Sequence, residues 1–154
     1  MNRFKVRGVV EGFYGKPWTW QERRDIIQFM GKNGYTLYIY APKADHLHRD
    51  NWRQMYDHSF EENFQSLIET GKTVSVDVSM AISPGLSLVH SDECDLNILK
   101  QKYLKFAEMG VHTISLFLDD IPQELIHQRD KQAYQSLADA QADFANRLYL
   151  SLAN

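Results

Sequence analysis

Apolar positions along the chain change period several times, and each change marks an element boundary. Residues 4–10 read as a strand, and residues 19–33 then carry Ile26, Ile27, Phe29 and Met30 at helical spacing. Thr19 with Glu22 three residues on is a capping-box signature, Pro17 stands just upstream, and Gly34 marks the helix end. The same grammar predicts a strand over 36–40, a helix over 60–70 ending at Gly71, and a strand over 74–82. A helix over 92–109 ending at Gly110 and a fourth strand over 111–118 follow. A last helix, about 131–152, places Leu137, Ala140, Phe144, Leu148 and Leu152 at three- and four-residue steps.

Strands alternating with helices of this length predict an α/β protein with a parallel sheet, built from four βα units. The predicted strands over 36–40 and 113–118 are rich in β-branched and aromatic residues, as strands covered by helices are. No low-complexity segment or flexible linker interrupts the pattern, so residues 1–154 read as one domain.

Composition narrows the function classes. A chain of 154 residues with 44% hydrophobic and 24% charged residues fits a single soluble globular domain. A net charge of -3, from 17 basic and 20 acidic residues, gives no broad positive field, so nucleic acid is not an expected partner. Cys94 is the only cysteine, which excludes an intrachain disulfide and a thiolate cluster for zinc. Residues 1–14 alternate charged and apolar positions, without the continuous apolar stretch of a signal peptide. No later stretch approaches ~18 apolar residues, so a cytoplasmic location and no membrane partner are expected.

Special residues cluster just after each predicted strand: Glu11-Gly12-Phe13-Tyr14-Gly15, Ala41-Pro42-Lys43, Ser83-Pro84-Gly85 and Asp119-Asp120. In a βα barrel or an open parallel sheet these loops meet at the C-terminal edge of the strands, where such folds bind ligands. Asp119 and Asp120 can share one pocket only if the backbone turns between them, because strand side chains alternate faces; Pro122 favours that turn. Two carboxylates held close repel, so one pKa is expected to rise and supply a general acid near neutral pH. One alternative has one Asp cap a helix while the other faces water; another makes the pair part of an acidic metal motif. Lys43 could donate to a sugar hydroxyl or balance the carboxylates. His46 and His48 have metal-ligand chemistry but no third ligand nearby. Gly12 and Gly15 flank two aromatics and permit close backbone approach, and Trp18, Trp20 and Trp52 could stack on sugars or simply pack.

Together these loops resemble glycoside hydrolase family 84, the family of protein O-GlcNAcases and of bacterial hexosaminidases often labelled hyaluronidases. The stretches that carry the resemblance are Gly8-Val9-Val10-Glu11-Gly12-Phe13-Tyr14-Gly15-Lys16-Pro17-Trp18, Tyr38-Ile39-Tyr40-Ala41-Pro42-Lys43, Ala81-Ile82-Ser83-Pro84-Gly85-Leu86 and Phe117-Leu118-Asp119-Asp120-Ile121. The resemblance implies the N-terminal half of a TIM (β/α)8 barrel, with the C-terminal half absent. It implies a retaining β-N-acetylglucosaminidase acting on an N-acetylglucosamine-containing glycoconjugate, without cofactor or metal. In that reaction the substrate's own 2-acetamido oxygen attacks the anomeric carbon. By position Asp119 would orient the acetamido N–H and Asp120 would be general acid and then base, while Gly12, Tyr14 and Lys43 would line the sugar site. Ala44 departs from the acidic residue usual after the lysine. A half-barrel leaves strand edges unpaired, so self-association or dependence on a C-terminal half is expected, and a non-catalytic half that binds N-acetylhexosamine weakly is the rival reading.

Overall fold

Four short strands pair in parallel in chain order: β1 (Gly8–Glu11), β2 (Leu37–Tyr40), β3 (Asp77–Ile82) and β4 (Ile114–Leu116). The structure is a computed structural model and describes residues 4–153. The first three residues of the N-terminal stretch, and Asn154, lie outside the described residues. Between and after the strands come α1 (Trp20–Lys32), α2 (His58–Val74), α3 (Glu93–Glu108), α4 (Gln128–Ala133) and α5 (Leu137–Ala153). The predicted α/β repeat with a parallel sheet is therefore present.

Register explains where the core lies. Glu11, Tyr40, Met80 and Ile114 stand abreast, so Tyr38, Val78 and Ile82, two residues away along their strands, share that face. This is the face the helices cover. Tyr40 meets Phe60 and Phe64 of α2 edge-on, and Phe64 meets Phe106 of α3. Tyr38, Met80, Phe64, Leu67 and Leu99 are wholly buried in the resulting core. Val10, Ile39 and Ala81 point the other way, and Val10 at the β1 edge remains 46% exposed.

The caps follow the sequence where a side chain makes them. Thr19 accepts from the Glu22 amide and Glu22 reaches back to the Thr19 amide, completing the box that opens α1. Asp57 starts α2, two residues earlier than periodicity predicts, by accepting from the Phe60 amide at 2.8 Å.

Tertiary contacts move other boundaries. The helix expected to stop at Gly71 runs on to Val74 and ends at Ser75, in the left-handed region with φ 57°. Gly71 serves close packing instead: a Cβ there would lie 2.3 Å from the Val76 carbonyl oxygen, where the chain doubles back into β3. β3 accordingly begins at 77 rather than 74. β4 is three residues long instead of eight, because it pairs with β3 only over Met80 to Ile82.

The single helix expected over 131–152 is two. Tyr134 is extended (φ -129°, ψ 150°), Ser136 accepts from the Asp139 amide at 3.1 Å to open α5, and α4 is pinned through Asp130. That buried carboxylate accepts from the backbone and side chains of both His90 and Ser91. On α1, Phe29 is 56% exposed and Arg23 takes a place on the buried face with Ile27 and Met30.

Candidate active site at the C-terminal edge of the sheet

The loop after β1 is fastened at its root. Glu11 is fully buried and accepts from Arg23 Nε and Nη2, both at 2.8 Å, from the Tyr38 hydroxyl, and from the Trp18 amide at 3.1 Å. Arg23 is itself sandwiched between Trp20 and Tyr40, 4.6 and 4.8 Å from the two rings. A buried carboxylate held by this many donors is a rigid anchor for the loop. Gly12 leads from it into a loop in which Gly15 has φ 97°, and Tyr14, 67% exposed, extends over the sheet edge.

The loop between β2 and α2 is anchored by two charges, the half-buried Asp45 and the buried Lys102. Asp45 accepts from the hydroxyls of Tyr40 and Tyr56, at 2.9 and 2.8 Å, and from the Leu47 amide at 2.8 Å. Lys102 of α3 donates to the carbonyl oxygens of Leu47, Trp52 and Gln54 at 2.7, 2.9 and 2.7 Å. Burial pushes Lys102 down to about 8. So held, the loop presents Lys43 with only 4% of its side chain exposed, and the Lys43 amide meets the Phe13 carbonyl at 3.4 Å, joining the first two loops.

The third loop completes the floor. A Cβ on Gly85 would lie 2.3 Å from Ile121 Cγ2, so the glycine lets the Asp119-Asp120-Ile121 turn settle against it. Asp120 has φ 50°, the left-handed region. The turn between the aspartates therefore comes at Asp120 itself, before Pro122. It aims both carboxylates at one rim despite strand alternation.

Lys43 Nζ contacts Asp119 Oδ2 and lies 3.6 Å from Asp120 Oδ2. The Tyr14 hydroxyl donates to Asp120 Oδ2 at 2.5 Å. Arg49, which sequence reasoning missed, donates to the Tyr14 hydroxyl at 3.2 Å and to the Asp120 carbonyl at 3.1 Å, with Nη1 3.6 Å from Asp120 Oδ2. An arginine in a polar loop carries no signal in sequence that separates it from a solvated one.

The expectation that one carboxyl pKa rises is corrected for Asp120. The Tyr14 hydrogen bond first, then the charges of Lys43 and Arg49, hold its carboxyl below the usual aspartate range. Two cations against two carboxylates remove the repulsion on which that expectation rested. The helix-capping alternative also fails for the pair: α4 follows His127, well beyond them.

The other candidates settle as structural. His48 is buried with Nδ1 2.7 Å from the Ala81 carbonyl, and burial lowers its pKa, so the ring is neutral and donates there. His46 is exposed and pairs with Asp50 at 3.0 Å. Trp52 is fully buried, and Trp20 stacks on Tyr40. Among the described residues no group of three or more His, Cys, Asp or Glu is arranged to hold a metal ion, and no helix is long and apolar enough to cross a membrane.

Four loops from successive βα units thus bring a lysine, a tyrosine hydroxyl and two adjacent carboxylates to one open edge. The family model described as β-N-acetylglucosaminidase matches residues 7–154. The chain belongs to that family, glycoside hydrolase family 84. It is 35% identical to the protein O-GlcNAcases of Rattus norvegicus and Mus musculus over 142 residues, which are 92% of this chain and 15% of each relative. A mutant of the Thermobaculum terrenum O-GlcNAc hydrolase superposes with a TM-score of 0.95 at 48% identity, covering 97% of this chain and 32% of that one. The structure of CpGH84B gives 0.80 at 37% identity, with 94% and 24% covered. The family 84 chain therefore spans about 15% of the length of its curated relatives. Membership also sets aside the reading of Asp119-Asp120 as the metal motif of an unrelated α/β enzyme.

Proposed function

We propose that this family 84 chain is the N-terminal half of a TIM (β/α)8 barrel and contributes the catalytic carboxylates of a retaining β-N-acetylglucosaminidase. The observation that carries the reading is the Lys43 ammonium set between Asp119 and Asp120, with the Tyr14 hydroxyl on the second carboxylate. Asp119 accepts the substrate's acetamido N–H, which makes the acetamido oxygen a better nucleophile and stabilises the positive charge that spreads into the new ring. That oxygen bonds to the anomeric carbon as the bond to the leaving oxygen breaks. Asp120 gives its proton to the leaving oxygen and then takes one from the water that opens the oxazoline. Two inversions at one carbon retain configuration.

General acid–base catalysis contributes about 10²–10⁴-fold. Orientation by Asp119 and hydroxyl contacts from Lys43, Tyr14 and the Gly12 backbone supply more by holding the sugar in a reactive pose. No step needs a metal or cofactor.

A second reading has an observation in its favour. In the free chain Asp120 is held ionised and both carboxylates are about half exposed. An acid in its deprotonated form on an open rim suits a half-site that binds N-acetylhexosamine weakly without turnover, until a C-terminal half or a second copy covers it. Hydrolysis of 4-methylumbelliferyl β-N-acetylglucosaminide by the purified chain separates the two. Turnover that is blocked by an oxazoline-mimicking thiazoline and lost in both Asp119→Asn and Asp120→Asn supports catalysis. Thiazoline binding with no turnover supports the half-site.

A further inference from the structure

We propose that Arg49 is the positioning residue that sets the orientation of Asp120: its guanidinium holds the Asp120 carbonyl in the left-handed turn and braces the Tyr14 hydroxyl that contacts the Asp120 carboxylate. The inference rests on the reading of Asp120 as the proton donor, and it concerns how that donor is aimed.

The physical case begins with alternation. Two successive residues leaving a strand point to opposite sides unless the backbone departs from extended geometry. Asp120 departs, with φ 50°, a conformation that L-residues rarely adopt and that persists where its surroundings enforce it. The Asp120 carbonyl accepts from Arg49 Nη2 at 3.1 Å. Arg49 Nη1, on the other arm of the same fork, reaches the Tyr14 hydroxyl at 3.2 Å. One rigid planar group, with two nitrogens at fixed separation, thus spans the loop after β1 and the turn after β4, a geometry that the flexible single-nitrogen head of a lysine does not reproduce.

Arg49 is also well placed to hold still. It is 9% exposed, and its loop is tied down by Asp45 and by the three carbonyl contacts of Lys102. Both of the arginine's hydrogen bonds go to candidate site residues from other loops. The charged and titratable groups facing the Asp120 carboxylate are Tyr14 from the first loop, Lys43 and Arg49 from the second, and Asp119 beside it. Arg49 is therefore both a brace and one of two cations that favour the ionised carboxylate.

The test uses the intact chain with ¹³C- and ¹⁵N-labelled aspartate. The pH titration of the Asp120 carboxyl and the backbone coupling that reports its φ are measured in the parent, Arg49→Met and Arg49→Lys. The methionine variant should raise the Asp120 midpoint and move the coupling away from its parent value. The lysine variant keeps the charge but loses the fork, so its coupling should still move while its midpoint rises less. An Asp120 with unchanged coupling and midpoint in a folded Arg49→Lys or Arg49→Met protein overturns the proposal. If the methionine variant does not fold, the lysine variant decides. Absence of turnover in the parent chain would count against catalysis by this chain and leave these two readings untouched.

Discussion

At the scale of single residues, the site is governed by which charges reach Asp120. Tyr14 donates to the carboxylate at 2.5 Å, and this bond is the main cause of its lowered pKa. A group with a depressed folded pKa contributes stability above its unfolded value, about 3.9 for aspartate, and loses it as pH falls through the folded value. For catalysis the same shift works the other way. A general acid acts only when protonated, so kcat/KM of the free chain should fall as pH rises above the lowered Asp120 pKa. Tyr14→Phe removes the strongest of these influences and should move that descending limb to higher pH. A pH–rate profile of the two proteins checks it, and coincident limbs would detach Tyr14 from the acid.

At the scale of elements, what places the site is the fastening of loops onto helices rather than the strands alone. Lys102 is the clearest case, because one α3 side chain closes the loop over 47–54 through three backbone carbonyls. Lys102→Met leaves those carbonyls without their donor, and each unsatisfied buried group costs about 1–3 kcal/mol, part of it recovered by water at the exposed end of the loop. A net loss of about 3 kcal/mol should lower Tm by roughly 6–12 °C for a domain of this size. A thermal melt by circular dichroism reads the loss, and a change below about 2 °C would mean the loop is held by Asp45 and its tyrosines without help. The Gly71 and Tyr134 corrections are of the same kind. Local patterns suggest a stop or a continuation, and contacts from the next element decide.

At the scale of the whole molecule, β1 and β4 are the edges of the sheet among the described residues. Beside β4 lies an apolar groove of about 360 Å³ lined by Tyr103, Ile114, Leu116, Leu148, Tyr149 and Leu152. Ile114 is 37% and Tyr149 72% exposed. Unpaired edges next to apolar surface invite pairing, and β1 and β4 of two copies can meet in parallel around a two-fold axis. The purified chain should therefore sediment as a dimer or larger species. Ile114→Lys, which puts a charge on the edge, should shift it toward monomer. A monomer across the micromolar range in the parent would show that the edges are protected as they stand.

Much of this was legible in the sequence because it is local. Alternation of strand and helix periods and the Thr19–Glu22 box follow from neighbours a few positions apart, the βα repeat implies a parallel sheet, and Gly12, Tyr14, Lys43, Asp119 and Asp120 stand out as candidates by their place just after the strands and by the family resemblance. Only the tertiary structure decided that Gly71 lies within a helix, that Arg23 is buried against Glu11, that Arg49 joins Tyr14 to Asp120, and that Asp120 is held ionised. Gly71 depends on the chain doubling back at Val76, and the other three depend on groups between 12 and 106 residues apart along the chain. The reason is physical: propensity, capping and periodicity act over one or two turns. A pKa or a buried ion pair is instead set by the charges and the water that folding brings within a few ångströms.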